Sequence, residues 1–471
     1  MTYDEAISFW YGRINYEVRA AAPLDLKLER MRALLRRLGD PQDRLRLVHV
    51  TGTKGKGSTC AMLASVLQTA GYRVGLFTSP HLTRVEERVQ VNGVPISEAE
   101  FVARMEEVAP AVRAMEAEYP LVRGAPPSAF PAPTFFEIGT ALGFLHFVRR
   151  RCDVAVIEVG LGGRFDSTNV CHPLVSVVTN IGLDHTAQLG GTLEAIAFQK
   201  AGIIKPRVPV VSGVTQSGPR AVVRAVAAEV AAPLWEVGGE PVPVPPSMNP
   251  GQDDRPPGPP PEGKRRKALS ETARVPGAPD VAAEISLPLG VGLLGAHQRA
   301  NAAIAVTVLD RLREAGMHIP PAAVARGLAQ VKWPARIEVM HERPVLVLDT
   351  AHNVPSAEAL VDTLREAFPA AGAKRVVLAV SSDKPFPEIL RVLAGYFDHF
   401  HLTKYSNNPR GVSPEKLAAA LAAVAPGTPF TTHPTAPAAW AGARAAVTGA
   451  DLVCVTGSVF LAGELRPLVT G

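Results

Sequence analysis

The residues best suited to chemistry begin with the glycine-rich segment Gly52-Thr53-Lys54-Gly55-Lys56-Gly57-Ser58, which follows an apolar run and precedes a helical pattern. In a strand–turn–helix unit, backbone N–H groups and the helix N-terminus converge where phosphate oxygens can bind. Lys56 would neutralise the β- and γ-phosphates of a nucleotide. The order departs from the commonest loop, G-x-x-x-x-G-K-[ST], because Gly57 separates Lys56 from Ser58. The segment therefore predicts a variant phosphate-binding loop.

Three further side chains could act near bound phosphate. Glu158 lies near the end of an apolar run, where a carboxylate can hold Mg²⁺, although a surface acid at a strand end fits the pattern equally well. His185 follows another apolar run, but a lone histidine is more often a hydrogen-bonded surface or core residue than a ligand. Lys200 lies on a mainly apolar helical face, where a lysine is usually a snorkelling surface residue and a functional role needs a further reason.

Other polar or glycine-rich segments are less specific. Gly160-Leu161-Gly162-Gly163 could indicate a dinucleotide turn, but Phe165 breaks the G-x-G-x-x-G pattern, so we do not expect a nicotinamide site. Asn301, in a helix start, and Asp349, after a strand, could contact nucleotide or substrate, or could simply cap their elements.

The elements that must position these residues alternate between strands and helices. We predict strands at residues 46–51, 73–78, 153–159 and 174–180, and helices at residues 58–69, 136–149, 193–204 and 297–314. A second series of strands is predicted at residues 336–340, 345–349, 375–380, 399–403 and 452–456. This alternation indicates an α/β fold: an N-terminal phosphate-loop ATPase domain with a mostly parallel sheet, and a smaller C-terminal doubly wound α/β domain.

Length and composition agree with this organisation. A chain of 471 residues suggests two domains, which we place at residues 1–330 and 331–471, with an irregular proline-rich insertion at about 238–282. Hydrophobic residues make up 47% and charged residues 20%, which is globular composition. The four cysteines lack metal-ligand spacing, and no apolar run is long enough to span a bilayer. We expect a cytoplasmic protein that does not bind membranes. Because the net charge is only +5, we do not expect nucleic-acid partners either.

Ordered motifs along most of the chain carry a resemblance to a known family. They are VTGTKGKGS, TSPHLTRVEERVQVNG, PTFFE, VIEVGLGGRFDSTNV, NIGLDHT, FQKAGIIKP, LLGAHQRANA, WPARIEV, LDTAHN, NNPRG and VTGSVFL. The sequence resembles the Mur ligase superfamily and, within it, the folylpolyglutamate synthase and dihydrofolate synthase family. The resemblance extends from about residue 47 to residue 460, apart from the proline-rich insertion.

The resemblance implies roles for particular residues. It implies ATP contacts from Gly55, Lys56, Gly57, Ser58, Asn301, Arg336 and Asp349. It implies magnesium ligation by Ser79, Glu158 and His185, catalytic roles for Lys56, His185 and Lys200, and a carbamate on Lys200. It implies that the pterin end of the acid substrate binds near Thr134, Phe135, Phe136, Glu137, Phe165, Asp166 and Ser167.

Three positions depart from the family's pattern. Ser167 replaces a usual alanine, Gln199 replaces a usual glutamate, and Thr350 stands where glycine is common. Ser167 puts the detail of the pterin pocket in question. Thr350 could alter the loop before His352, because threonine disfavours the positive φ that glycine tolerates.

The expected reaction is ATP-dependent formation of an amide between a folate-type carboxylate and L-glutamate, by way of an acyl phosphate. The acceptor stays open between dihydropteroate, a reduced folate that already carries glutamate, or both. One alternative is a Mur-type amino-acid ligase that acts on a cell-wall nucleotide precursor, although the TFFE and RFDSTN segments argue against it. Another is a phosphate-loop ATPase that binds nucleic acid. The expected partners are small molecules, with Mg²⁺ as cofactor and ATP as co-substrate, and we expect a monomer.

Overall fold

The computed structural model describes residues 1–15, 28–118, 132–237 and 290–470. The proline-rich insertion expected at about residues 238–282 lies outside these ranges. The described residues form two sheets, each covered by helices on both faces.

The first sheet has eight strands. They are β1 (Leu47–Thr51), β2 (Val74–Phe77), β3 (Val89–Val91), β4 (Val94–Pro95), β5 (Val154–Glu158), β6 (Val175–Val178), β7 (Val210–Ser212) and β8 (Leu234–Glu236). Their spatial order is β4-β3-β2-β5-β1-β6-β7-β8, and only the β2–β3 and β3–β4 pairs are antiparallel. Strands β1, β2, β5 and β6 are buried along their whole length, as parallel strands covered on both faces must be.

Ten helices accompany this sheet in the described residues. They are α1 (Tyr3–Tyr11), α2 (Glu29–Arg37), α3 (Lys56–Thr69), α4 (Glu98–Glu118), α5 (Phe135–Arg149), α6 (Thr186–Leu189), α7 (Leu193–Ala201), α8 (Ser217–Glu229), α9 (Ala296–Glu314) and α10 (Pro321–Gln330). Successive strand residues point to opposite faces. Val48 and Val156 therefore join the core formed with α3, α9 and α10, whereas Leu47 and Ile157 join the core formed with α1, α2, α4 and α5.

The second sheet has six strands. They are β9 (Glu338–Glu342), β10 (Val345–Leu348), β11 (Lys374–Leu378), β12 (His399–Leu402), β13 (Phe430–Thr432) and β14 (Leu452–Thr456). The order is β13-β12-β11-β14-β10-β9, with only β9 antiparallel. One face packs on α11 (Val354–Ala367), α12 (Phe386–Ala394) and α13 (Pro414–Val424), and the other on α14 (Ala436–Ala445) and α15 (Val459–Thr470). Helices on both faces make this sheet doubly wound, as predicted.

The predicted elements are present, with boundaries that differ by a few residues. The strand predicted at residues 336–340 begins only at Glu338 and extends to Glu342. Ala335 and Ile337 have φ angles of 53° and 49°, in the left-handed region, so an extended strand cannot start before them. The helix predicted at residues 193–204 ends at Ala201. The short strands β3, β4, β7, β8 and β13 were not predicted, because a two- or three-residue strand carries almost no periodic signal.

The start of α5 shows how local sequence and long-range pairing combine. Thr134 caps the helix by accepting a hydrogen bond from the Glu137 backbone N–H, and the Glu137 carboxylate accepts one from the Thr134 N–H at 2.8 Å. The same carboxylate accepts a hydrogen bond from Nε of Arg30 in α2 at 2.6 Å. Both side chains of this ion pair are more than nine-tenths buried. The pair therefore ties α2 to the turn that begins α5.

We predict that Arg30→Met lowers the free energy of unfolding by about 3 kcal/mol, because Glu137 would stay buried without its cation. Urea unfolding measures this, and Glu137→Gln added to Arg30→Met should recover part of the loss. The matched control is Arg37→Met in the same helix, where the ion pair with Glu118 is largely exposed and is worth at most about 1 kcal/mol. Equal losses for the two arginine variants would contradict the assignment of Arg30–Glu137 as a buried structural pair.

Candidate active site

The phosphate loop connects β1 to α3 and is fastened to the end of β6. The Thr53 N–H donates to the Asn180 carbonyl at 3.0 Å, and the Lys54 N–H donates to Asn180 Oδ1 at 2.8 Å. Two glycines allow this close approach. A Cβ on Gly52 would lie 1.8 Å from Thr179 Oγ1, and a Cβ on Gly55, whose φ is 80°, would lie 2.3 Å from Asn301 Oδ1. The loop therefore has the backbone that an anion-binding turn before a helix requires.

Lys56 and Glu158 face each other across neighbouring strands. Their Nζ and Oε1 atoms are 3.8 Å apart, and Glu158 Oε2 accepts a hydrogen bond from the Ser79 N–H at 3.3 Å. Burial raises the pKa of Glu158, and Lys56 partly offsets this rise. Glu158 is thus a buried carboxylate in a cationic setting, which excludes the surface acid that the sequence also allowed.

The topology explains why these residues meet. Ser79 follows β2, Glu158 ends β5, the phosphate loop follows β1, and His185 follows β6, and these four strands are consecutive in the sheet. In an open parallel sheet, the carboxyl ends of the strands form the ligand-binding edge. His185 has a φ of 50°, and its side chain is about half exposed, so its imidazole is open to a ligand at this edge.

The residues at this edge offer a magnesium ion few protein ligands of their own. No group of three His, Cys, Asp or Glu side chains in the described ranges lies close enough to hold a metal by itself. Magnesium is usually bound by one or two carboxylates together with substrate phosphates and water, so a complete protein cage is not required. The buried Glu158 carboxylate beside Ser79 and the phosphate loop fits a magnesium ion that binds together with a nucleotide.

Lys200 lies under the phosphate loop. It is about 95% buried, and its Nζ donates a hydrogen bond to the Gly52 carbonyl at 2.9 Å. Burial, reinforced by the nearby Lys56 charge, lowers the pKa of Lys200 to about 7. The alternative of a snorkelling surface lysine is therefore wrong.

A charged network that sequence reasoning missed joins the two sheets. Asp184 contacts the Nζ atoms of Lys54 and Lys384, both at 3.2 Å, and Lys384 lies in the loop between β11 of the second sheet and α12. Lys54 Nζ also lies 3.0 Å from Nε2 of His352, whose Nδ1 lies 2.8 Å from the Thr350 carbonyl. With the proton on Nδ1, Nε2 accepts a hydrogen bond from Lys54 Nζ. Burial lowers the pKa of His352 to about 3. The one sequence signal for this network was Lys54, because it is a second lysine within the phosphate loop.

The remaining residues expected to contact ATP come from the distal half of the chain. Asn301 packs on Gly55 and donates from Nδ2 to Gln298 Oε1 at 3.0 Å. Asp349 accepts hydrogen bonds from the N–H groups of Ile337 and Ala351. Burial raises the pKa of Asp349, and Arg336 partly offsets this rise. Thr350 has no positive φ, so the backbone there does not require glycine.

The segments expected to hold the acid substrate lie side by side. Phe136 packs under Gly160, where a Cβ would lie 2.4 Å from its ring, and Ser167 Oγ lies 2.8 Å from Thr140 Oγ1. Phe165 is 45% exposed and can offer a ring face to a ligand. The two segments therefore form one wall next to the end of β5.

The other members of this predicted set are engaged in the protein itself. Phe135 is 1% exposed and stacks on Trp10 with ring centroids 4.6 Å apart. Thr134 and Glu137 form the capping box of α5. Asp166 accepts hydrogen bonds from the N–H groups of Leu161 and Thr168. These four side chains therefore shape the wall from inside the protein. Phe136 and Phe165 are the better candidates for direct contact with the acid substrate.

The fold and site define a phosphate-loop ligase of the Mur type. Residues 335–459 match the family model for the Mur ligase glutamate ligase domain, and residues 130–214 match that for the Mur ligase middle domain. The dihydrofolate synthase/folylpolyglutamate synthase of Bacillus subtilis is 36% identical over 86% of this chain and 85% of its own length. The folylpolyglutamate synthase of Lacticaseibacillus casei is 34% identical over 88% of this chain and 87% of its own length. The chain belongs to the folylpolyglutamate synthase/dihydrofolate synthase family.

Solved structures agree with this assignment. Mycobacterium tuberculosis folylpolyglutamate synthase complexed with ADP has a TM-score of 0.80 and 28% identity, and the match covers 100% of this chain and 98% of that one. The Escherichia coli FolC protein in complex with DHPP and ADP has a TM-score of 0.75 and 28% identity, with the same coverage. Within the described ranges, no helix is long and apolar enough to cross a membrane.

We predict that Asp184→Asn loosens the contact between the two sheets, because Lys54 and Lys384 would lose the carboxylate between them. Amide hydrogen exchange of residues 350–353 and 381–384 should accelerate by about tenfold, the equivalent of about 1.4 kcal/mol. Asp383→Asn is the matched control, since Asp383 contacts Lys384 and Arg410 but not the phosphate loop. Unchanged exchange in Asp184→Asn would show that Asp184 does not couple the sheets.

Proposed function

We propose that this chain is an ATP-dependent ligase that joins the amine of L-glutamate to a carboxylate of a folate-type acid. The observation that carries the proposal is the meeting of the Lys56–Glu158 pair with the wall formed by Phe136 and Phe165 at one sheet edge. This arrangement allows a triphosphate and an aromatic acid to bind side by side. The names of the relatives and the ligands in the related structures support the same function.

In the proposed reaction, an oxygen of the acceptor carboxylate attacks the γ-phosphorus of ATP, and the bond from that phosphorus to the β–γ bridging oxygen breaks. ADP leaves and an acyl phosphate forms. The glutamate amine then attacks the acyl carbon, loses a proton, and expels inorganic phosphate, leaving an amide. Lys56 and the loop N–H groups offset the negative charge as the two anions approach. Mg²⁺, held by Glu158, Ser79 and His185, would supply further neutralisation of the phosphates.

Closure of the two halves would exclude water from the acyl phosphate. Lys54, Asp184 and Lys384 already connect the halves at this edge. We propose that residues 1–330 form the ATP-binding unit and residues 331–471 the second domain, and that the protein acts as a monomer on small molecules without nucleic acid. Neither the ligase of cell-wall precursors nor the nucleic-acid-dependent ATPase is favoured, because the relatives are folate enzymes by name.

The decisive assay offers purified protein ATP, Mg²⁺ and L-glutamate with either dihydropteroate or tetrahydrofolate, and follows product mass. We expect a gain of one glutamate residue with at least one acceptor, and the acceptor that works defines the subtype. Lys56→Met should slow turnover by about 10²–10³-fold, since a preorganised charge on the phosphates is lost. Lys416→Met, at an exposed position of α13, should leave it unchanged. No glutamate-dependent product with either acceptor would refute the proposed function.

We also predict that Lys200 carries a carbamate whose formation depends on dissolved CO₂. Only the neutral amine reacts with CO₂, and a pKa of about 7 makes its fraction rise from about a quarter at pH 6.5 to about nine-tenths at pH 8. Enzyme depleted of CO₂ should lose activity and regain it with bicarbonate, more completely at pH 8. Carbon-13 NMR with labelled bicarbonate should give a carbamate resonance that Lys200→Met lacks. Full activity without CO₂ and no such resonance would exclude the modification.

A further inference from the structure

Gly57, the residue that separates Lys56 from Ser58, lies in the first turn of α3. Its φ is not positive, so the backbone does not require glycine there. Glycine is a poorer helix former than alanine, so the local structure alone would favour a side chain at this position. The local backbone therefore gives no reason for glycine at residue 57, whereas the neighbouring part of the fold does.

The neighbouring part of the fold is Trp333. A Cβ on Gly57 would lie 3.1 Å from Nε1, 3.3 Å from Cζ2 and 3.4 Å from Cε2 of this indole. These distances are shorter than ordinary van der Waals contact between carbon atoms. The indole also packs against the core that α3 shares with α9 and α10. Trp333 thus occupies the space that a side chain at residue 57 would need.

The segment that follows Trp333 is fixed on several sides. The Ala335 N–H donates to Glu338 Oε2 at 2.8 Å, and Glu338 Oε1 accepts from Arg466 Nη2 at 2.9 Å. The Ile337 N–H donates to Asp349 Oδ2 at 3.1 Å. Trp333 therefore stands at the connection between α10 and β9, with its ring on the phosphate loop and its chain tied to the second sheet.

We propose that Trp333 is a positioning residue that docks on Gly57 and fixes the phosphate loop relative to Arg336 and Asp349. Nucleotide affinity then depends on a matched pair, an indole at residue 333 and no side chain at residue 57. This explains why the loop departs from the commonest order at this position. The inference rests on the proposed use of ATP, so the test measures nucleotide binding separately from product formation.

The test is a double-mutant cycle with Gly57→Ala and Trp333→Leu, in which ADP affinity is measured by calorimetry and the KM for ATP by turnover. Gly57→Ala should weaken ADP binding by about tenfold, and Trp333→Leu by about fivefold. Adding Gly57→Ala to Trp333→Leu should cost less than about twofold more, because the obstructing ring is gone. The KM for ATP should follow ADP affinity across the four proteins of the cycle.

Trp235→Leu is the matched control. Trp235 packs against the same core as Trp333 but is not among the closest neighbours of a Cβ on Gly57. In the Trp235→Leu background, Gly57→Ala should keep its full tenfold effect. If thermal unfolding shows that Trp333→Leu is not folded, Trp333→Phe replaces it, since phenylalanine keeps an aromatic ring in the core but lacks the larger indole.

Two results would overturn the inference. One is an equal cost of Gly57→Ala in the wild-type and Trp333-substituted backgrounds. The other is a Gly57→Ala variant that binds ADP as tightly as the wild type. Failure of the wild-type protein to bind ADP at all would instead count against the proposed function, so the two failures are distinguishable.

Discussion

Positive charge gathered at one partly buried sheet edge is the constraint on which the rest of the structure depends. The ammonium groups of Lys54, Lys56 and Lys384 gather there with the carboxylates of Glu158 and Asp184, and the Lys200 amine lies beneath them on the Gly52 carbonyl. Burial and repulsion from neighbouring lysines hold the pKa of Lys54 at about 8 and that of Lys200 at about 7. Such an arrangement is unfavourable in the free protein, and a bound polyanion relieves it. The fold must therefore keep these groups together against their own repulsion.

The parallel sheet provides that restraint. Four consecutive strands, β2, β5, β1 and β6, each end next to a residue of the site, and the hydrogen bonds between strands fix their separation. The phosphate loop is held further by Asn180 and Thr179, which bond to backbone atoms of Thr53 and Lys54. Little of the site thus depends on flexible side chains alone. Preorganised groups of this kind need no rearrangement when charge develops on a phosphate.

Much of the fold was predictable because its signals are local. Buried parallel strands such as β1 and β5 are continuous apolar runs, and α5 begins at a Thr-x-x-Glu capping box. The phosphate loop was equally visible as a glycine cluster between a strand and a helix. The pairing of Asp184 with Lys384 was not, because the two residues are 200 positions apart and neither has a distinctive neighbourhood. Phe135 and Phe136 are adjacent and chemically identical, so only the structure separates the core ring from the ring beneath Gly160.

The same limit applies to the glycine positions of the loop. Gly55 looks like a turn residue in the sequence, and its φ of 80° agrees with that interpretation. However, Asn301, from a helix almost 250 residues later, fills the space beside its Cα, so any side chain there would collide as well as strain the backbone. The conformation of the loop is therefore set jointly by β1, β6 and the distal helix α9. A phosphate loop of this kind is a tertiary structure built from segments almost 250 residues apart, and its short sequence motif records only the local part of that structure.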